Sequence, residues 1–421
     1  MHYYYSSARL FCEQVSVLEI ADKIETPFYL YSRRTYRENF REIDAAFSSR
    51  PHRICYALKA NANPQILRDF AELGAGADVV SSGELKFALQ AGIPGNDIVF
   101  AGVGKRDEEI LAALNAGIRG LNVESEAELE NINALARMQG IKAPVALRVN
   151  PNIDIQGHPY ISTGRSADKF GIALDRARTL LKEIHALPNI RLVGLHAHLG
   201  SQIISLGPYA EIGKTLAQLV KEAQAANHEL SYVDVGGGLG VIYQQTMEIA
   251  PETQPHGMWA LSPRDVAENL LAPLADISGE IIFEPGRALV ATCGILVTRV
   301  LYTKVSGGKG FVIVDAGMTD LIRPSLYQAY HQIVPVVYHE GKRQKYDIVG
   351  PVCESGDFLG KERELPHMQR GDLLAIMTAG AYGFSLSSNY NARPRPAELI
   401  VDGERIVVSR PRQSLASLWE N

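Results

Sequence analysis

The sequence predicts an α/β protein with an all-β addition: a (β/α)8 barrel over residues 33–290, joined to a β-sandwich or β-barrel domain built from 1–32 and 291–421. Three observations predict this. Short β-rich runs alternate eight times with helix-like stretches between about residues 50 and 287. After residue 290 the helical texture stops, and strand-like runs follow one another through turns. Near the start, PFYLYS (27–32) reads as a strand outside the alternation, which suits pairing with the β-domain.

The eight runs are ICYAL (54–58), ADVV (77–80), DIVFA (97–101), RGLNV (119–123), PVALRV (144–149), IRLVGLHAH (190–198), LSYVDV (230–235) and GEIIF (279–283). Between them lie stretches such as SGELKFALQAG and SEAELENINALARMQG, with Ser82 and Ser125 placed to cap helix N-termini and Gly92 and Gly140 placed to stop them. A doubly wound open sheet has the same alternation, and periodicity does not separate the two. In the β-domain the runs are GILVTRVLYTKV, GFVIVDAG, QIVPVV, KYDIVG, DLLAIM and ELIVDGERIVVS, the last reading as a hairpin on Asp402–Gly403. The aromatic tip HYYY has no clear partner and reads as disordered or as packing.

The chain has 421 residues, 46% apolar and 21% charged, enough for a large core and two domains. A net charge of −5 without basic tracts argues against nucleic acid as a partner. Cys12, Cys55, Cys293 and Cys353 are far apart and form no CxxC pair, so neither a disulfide framework nor a zinc site is expected. MHYYYSSARLFCEQ lacks the basic-then-apolar order of a signal peptide, and no run is long enough to span a bilayer. A cytoplasmic enzyme with no membrane partner is the expectation.

In a (β/α)8 barrel, chemistry gathers at the carboxyl ends of the strands. Lys59 follows the first run, His196 and His198 end the sixth, Gly236, Gly237 and Gly238 follow the seventh, and Glu284, Gly286 and Arg287 follow the eighth. Each has an ordinary explanation by itself: a lysine reaching solvent, a half-buried histidine pair, a glycine turn. Their placement on one rim favours function. The glycines can bring backbone N–H groups to an anion, with Ser201 and Arg287 adding a hydroxyl and a cation. A lysine withdrawn from water can attack a carbonyl. A phosphate anchor, an imine-forming lysine and a carboxylate are what pyridoxal 5'-phosphate requires. Two other motifs fail. AGVGKRD (101–107) lacks the first glycine and the hydroxyl of a P-loop. HAH (196–198) has no acidic or cysteine partner at a familiar metal spacing.

The motifs YALKAN, SSGEL, KFGI (169–172), HAHLGSQ, DVGGGLG, EPGR, DAGMTDLIRPSLY, GPVCESGD and AGAYG occur in that order. Together they resemble the diaminopimelate decarboxylases, pyridoxal-phosphate enzymes of fold type III that join an alanine-racemase-like barrel to a C-terminal β-domain. The resemblance spans about residues 26 to 415. It implies that Lys59 holds the cofactor, His198 stacks on its ring, and Ser201 contacts its phosphate. It also implies that Gly238 and the segment Glu284 to Arg287 bind the cofactor, with Glu284 on the ring nitrogen. Arg287, Arg323 and Tyr327 would bind the substrate, Glu354 its distal ammonium, and Tyr382 both phosphate and substrate. Cys353 or Lys59 would protonate the product. The loop holding Cys353 would come from a neighbouring subunit, which implies a homodimer. The implied reaction is decarboxylation of meso-2,6-diaminopimelate to L-lysine, the last step of lysine biosynthesis. Departures from the pattern are Ser82 for glycine, Ser325 for alanine, Gln328 for glycine and a variable GRSADK loop (164–169) before KFGI; none replaces a residue with an implied role. Three alternatives stay open: decarboxylation of ornithine, arginine or a carboxylated polyamine precursor, a non-catalytic pyridoxal-phosphate-binding regulator, and a cofactor-free barrel aldolase using Lys59.

Overall fold

The structure is a computed structural model that describes residues 2–153, 169–253 and 259–420. Most of the GRSADK loop lies outside the described residues. Two compact units divide the chain, one formed by 40–240 and 259–288, the other by 1–39, 241–258 and 289–421.

In the first unit all eight runs form strands: β1 (His52–Ala57), β2 (Gly76–Val79), β3 (Ile98–Phe100), β4 (Gly120–Val123), β5 (Ala143–Asn150), β6 (Ile190–His196), β7 (Tyr232–Asp234) and β8 (Glu280–Phe283). Each pairs in parallel with the next, and β8 pairs with β1. The sheet is therefore a closed (β/α)8 barrel and not a doubly wound open one. The alternation is shared by both architectures; the β8–β1 and β4–β5 pairings decide between them.

Side chains alternate along a strand, so one set from each fills the barrel in layers. The middle layer is apolar, with Cys55, Val99, Ala146, Val193, Tyr232 and Ile282 in one cluster. Towards the amino ends of the strands lies a charged layer. Arg53 pairs with Asp97 at 3.1 Å, Arg119 pairs with Glu280, and the Arg119 guanidinium sits 5.4 Å from the Tyr232 ring centre. Towards the carboxyl ends are Asp78, Asn122, His196, Asp234 and Glu284, all buried. Buried ionisable groups are costly, and this second polar layer marks the functional end.

The caps follow local chemistry. Ser125 Oγ accepts from the Glu128 N–H at 3.2 Å, and Gly140 closes that helix in the left-handed region, as expected. The helix Ser82–Gln90 is capped by Ser81 and not by Ser82. Ser81 is the extended residue of the pair, and its Oγ accepts from the Glu84 N–H at 3.2 Å. Gly92 lies one residue beyond the C-cap Ala91.

Lys105, in the rejected P-loop motif, has a structural task. Its side chain is 1% exposed, and Nζ donates to the carbonyls of Gly102 and Asn122 and to Glu128 Oε1 at 2.6 Å. Lys105→Met should lower the unfolding free energy by roughly 3–5 kcal/mol, the usual cost of removing one partner of a buried ion pair. Urea unfolding followed by circular dichroism checks this; a change under 1 kcal/mol would refute the burial argument.

In the second unit, a sheet runs in the order Phe358–Leu365, Gln344–Val349, Lys309–Val314, Gly294–Ser306, Phe28–Ser32, Ala397–Asp402, Arg405–Arg410, with Leu373–Ile376 also on Gly294–Ser306. Phe28–Ser32 pairs antiparallel with Gly294–Ser306 and in parallel with Ala397–Asp402, as PFYLYS suggested. The hairpin turns at Gly403, φ +64°, with Asp402 opposite Arg405. The strand Phe358–Leu365 was not anticipated, because its KERE stretch masks the alternation. HYYY packs: Tyr3 and Tyr5 are fully buried in a three-stranded meander, and the Tyr3 hydroxyl lies 2.7 Å from the Leu30 carbonyl.

Candidate active site

The first barrel rim element is the turn after β1. Leu58–Ala60 forms one turn of 3-10 helix, so Lys59 leaves the strand direction just where the buried run ends. Asparagines hold this turn. The Tyr56 hydroxyl donates to the Asn61 carbonyl at 2.8 Å, Asn61 Oδ1 accepts from the Asn63 N–H, and Asn63 caps the helix Pro64–Glu72 by accepting from Gln65 N–H. The side chain of Lys59 is 41% exposed, and its Nζ donates to Asp78 Oδ2 at 2.9 Å.

Asp78 was not anticipated, although a carboxylate inside the run ADVV is itself an anomaly. Burial and the charge of Glu284 push its pKa up, with Lys59 opposing. Glu84, from SSGEL, is raised to about 7, chiefly by burial, with its Oε2 accepting from the Val80 N–H at 2.9 Å. This gives a linkage prediction. Below the ordinary glutamate value both folded and unfolded chains hold the proton. Between there and about pH 7 only the unfolded chain ionises, so the stability gained from the raised value is lost. Glu84→Gln should equal the parent in stability near pH 4 and exceed it by about 3 kcal/mol by pH 8. Denaturant titrations at the two pH values test this; a constant difference would refute it.

The rims after β6, β7 and β8 are locked together. The Glu284 N–H donates to the Gly236 carbonyl at 2.7 Å. A Cβ on Gly237 would lie 2.1 Å from the Glu284 carbonyl oxygen, so only glycine allows these two loops to close. The Gly236 N–H donates to Asp234 Oδ1 at 2.9 Å and the Gly237 N–H to His198 Nδ1 at 3.1 Å. Gly238 completes the loop at φ +100°. Gly286 packs over the β1 turn, where a Cβ would sit 3.1 Å from those of Ala57 and Ala60. Arg287 donates through Nε and Nη2 to Ser201 Oγ at 3.1 and 3.0 Å.

Two histidines two residues apart have different settings. His198 is half-buried, and burial, then Lys59 and Arg148, hold its pKa well below the usual value, so it is a neutral ring accepting at Nδ1. His196 is buried, with Nε2 3.3 Å from Glu284 Oε2 but off hydrogen-bond geometry. Burial works against the Glu284 carboxylate, but His196, Asp234 and Lys59 outweigh it and hold its pKa below the ordinary range. His196, Asp234 and Glu284 each place one polar atom within 4.8 Å of the other two. HAH has no acidic partner nearby in sequence; the carboxyl groups beside His196 come from β7 and from the turn after β8.

The second unit carries Arg323, Tyr327, Cys353, Glu354 and Tyr382. Arg323 is buried at the start of the helix Arg323–Tyr327, with Nη1 2.9 Å from His331 Nε2 and its guanidinium 4.7 Å from the Tyr243 ring centre. A guanidinium only donates, so His331 Nε2 accepts, and its Nδ1–H donates to the Met377 carbonyl at 2.9 Å. His331 and Tyr243 were not anticipated. The departure Gln328 caps this helix at φ +51°, in the region that favours glycine. The departure Ser325 donates to the Gly356 carbonyl at 2.5 Å, tying the helix to the CESGD loop. That loop is built on Asp357, whose carboxylate accepts from the N–H groups of Met318 and Val352 at 2.6 and 2.7 Å. Cys353 and Glu354 are left exposed. Tyr382 adopts φ +56°, a conformation costly for a non-glycine and common at functional sites.

Residues 33–291 match the family model described as pyridoxal-dependent decarboxylase, pyridoxal binding domain. The chain is 45% identical over 419 residues to a diaminopimelate decarboxylase of Vibrio cholerae, covering 99% of this chain and 97% of the other. Among solved structures, the diaminopimelate decarboxylase of Helicobacter pylori complexed with L-lysine matches with a TM-score of 0.89 at 42% identity, covering 96% and 98% of the two chains. That of M. jannaschii in co-complex with L-lysine matches with a TM-score of 0.91 at 35% identity, covering 99% and 96%.

Proposed function

We infer the chemistry from one premise: this chain belongs to the diaminopimelate decarboxylase family of pyridoxal-dependent decarboxylases. The protein is a carboxy-lyase that converts meso-2,6-diaminopimelate to L-lysine and CO2. The observation that carries the reading to individual residues is the rim itself. One amine, an ionised carboxylate with a buried oxygen, Glu284 Oε1, lacking a hydrogen-bond partner among the described residues, a neutral imidazole and a glycine loop all lie on one barrel.

Those groups fit pyridoxal 5'-phosphate. Lys59 would hold its aldehyde carbon, Glu284 its ring nitrogen, His198 its ring face, and Ser201 with Gly236, Gly237, Gly238, Gly286, Arg287 and Tyr382 its phosphate end. The bound cofactor supplies an electron sink for the pair released as CO2 departs. Glu284, ionised and enclosed, would keep a proton on the ring nitrogen and so set the strength of that sink. Lys59 would hold the cofactor between turnovers and would yield that position to the substrate amine. Cys353 or Lys59 delivers the proton to the carbon that lost CO2.

Substrate choice is assigned to charge pairing at the distal end. Arg287 and Arg323 answer a carboxylate, Tyr327 lines the same end, and Glu354 answers an ammonium. His331 and Tyr243 support this role, since they fix the Arg323 plane before any substrate arrives. Ornithine lacks the distal carboxylate and would leave buried guanidinium charge unanswered. The exposure of Cys353 and Glu354 supports a homodimer in which the CESGD loop serves the partner's site. The barrel over 33–290 is assigned to the cofactor, the β-domain to substrate loops, and the location to the cytoplasm. Among the described residues, no helix is long and apolar enough to cross a membrane.

A CO2-release assay on meso-diaminopimelate, ornithine, arginine and lysine tests the reading. The expected result is turnover of meso-diaminopimelate at least about 10²-fold above the others, the discrimination that a few kcal/mol of unpaired charge provides. Preference for ornithine would overturn the substrate assignment, and purified protein that binds no pyridoxal phosphate would overturn the cofactor assignment.

A further inference from the structure

The buried polar layer at the carboxyl end of the barrel holds more carboxyl groups than it can ionise. Asp78 has the amine of Lys59 at 2.9 Å. Asp234 and Glu284 have polar atoms within 4.8 Å of each other and share only one imidazole, His196. Asp234 is 0% and Glu284 6% exposed. Asp234 Oδ2 and Glu284 Oε1 make no hydrogen bond among the described residues, and the only donor to Asp234 is the Gly236 N–H. Of the other groups acting on the pair, Lys59 favours charge on Glu284, Asp78 opposes charge on Asp234, and Cys55 and Tyr232 bring no charge of their own. Two enclosed carboxylates this close cannot both be charged. Glu284 has the imidazole nitrogen at 3.3 Å and is the less enclosed, so it keeps the charge.

We propose that Asp234 is a positioning residue that works as a neutral carboxylic acid, its proton turned towards Glu284, so that Glu284 remains the charged member of this carboxyl pair. The acid accepts the Gly236 N–H through Oδ1 and donates through its second oxygen. It therefore joins the glycine loop to the carboxylate that follows β8. Burial and the neighbouring Glu284 push the Asp234 pKa well above the ordinary range, in agreement with this arrangement. The role assigned to Glu284 rests on the functional reading above; the protonation of Asp234 does not.

An asparagine reproduces a neutral acid, with one acceptor and one donor, whereas it cannot replace an anion. The test is infrared spectroscopy of cofactor-free protein at pH 8.5, above the values of about 7 at Glu84 and about 6 at Asp320. The parent should retain a protonated-carboxyl C=O band there, and the difference spectrum against Asp234→Asn should show that band lost. In a pyridoxal phosphate titration Asp234→Asn should bind within about threefold of the parent, and Asp234→Ala about tenfold more weakly, the size of one lost hydrogen bond. Asparagine binding as poorly as alanine would overturn the proposal. So would a parent spectrum without the band, which needs no variant to fold. Because the band is read without cofactor, its absence sinks this inference alone and leaves the decarboxylase reading to the turnover assay.

Discussion

Lys59→Ala should yield a folded protein with no visible absorbance from lysine-linked cofactor and no measurable CO2 release. The side chain is 41% exposed and lies on a single 3-10 turn held by Asn61 and Asn63, so its removal leaves the turn intact. What it strands is Asp78, a buried carboxyl whose pKa is already raised; without the amine at 2.9 Å it takes up a proton instead of unfolding the barrel. Turnover should fall by at least the roughly 10²–10⁴-fold that one proton-transferring group supplies, because Lys59 is assigned both cofactor attachment and proton handling. Circular dichroism, absorbance after adding pyridoxal phosphate, and CO2 release form the test. A variant that still shows the absorbance and still turns over would remove Lys59 from the site.

The second large effect is expected at Glu284. Glu284→Ala removes the anion that His196, Asp234 and Lys59 sustain against burial. It leaves a neutral cavity where the ring nitrogen would need a partner. Cofactor attachment through Lys59 should survive, while kcat falls about 10²–10³-fold, the usual loss when one preorganised electrostatic group is deleted. Glu284→Asp, with the same charge on a shorter arm, should recover part of the rate. Absorbance titration and steady-state CO2 release separate the two effects. Loss of cofactor binding with unchanged kcat in the fraction still loaded would show that Glu284 anchors the cofactor and does not tune it.

These expectations draw on residues of two kinds, and the difference explains what could be read in advance. Lys59, His198, Ser201, Glu284 and Arg287 stand at the ends of strand-like runs, where a barrel presents its chemistry, and each sits in a motif with its own local pattern. Asp78 and Asp234 sit inside other runs, ADVV and LSYVDV. Their only local signal is a carboxylate among apolar neighbours, and its partner, Glu284, follows another strand. His331 and Tyr243 are separated by 88 positions, yet both fix Arg323. Lys105 shows the converse: the spacing of AGVGKRD already excluded a phosphate loop, but only the fold shows the three acceptors that enclose the lysine. Ser81 replaced Ser82 as the cap because which serine of a pair is extended depends on the strand before it.

By itself the sequence determined the number and order of the barrel strands, the β-domain, the ordered motifs and the residues that end each barrel strand. Those are properties of hydrophobic period, turn chemistry and local spacing, and each is written within a few residues. Only the tertiary structure decided that the sheet closes, that two glycines spend their N–H groups on Asp234 and His198, and that three strands bring His196, Asp234 and Glu284 into one enclosed group. Burial and charge act through space. A pKa depends on which groups surround a carboxyl and how much water they exclude, and the chain sets neither until it has folded.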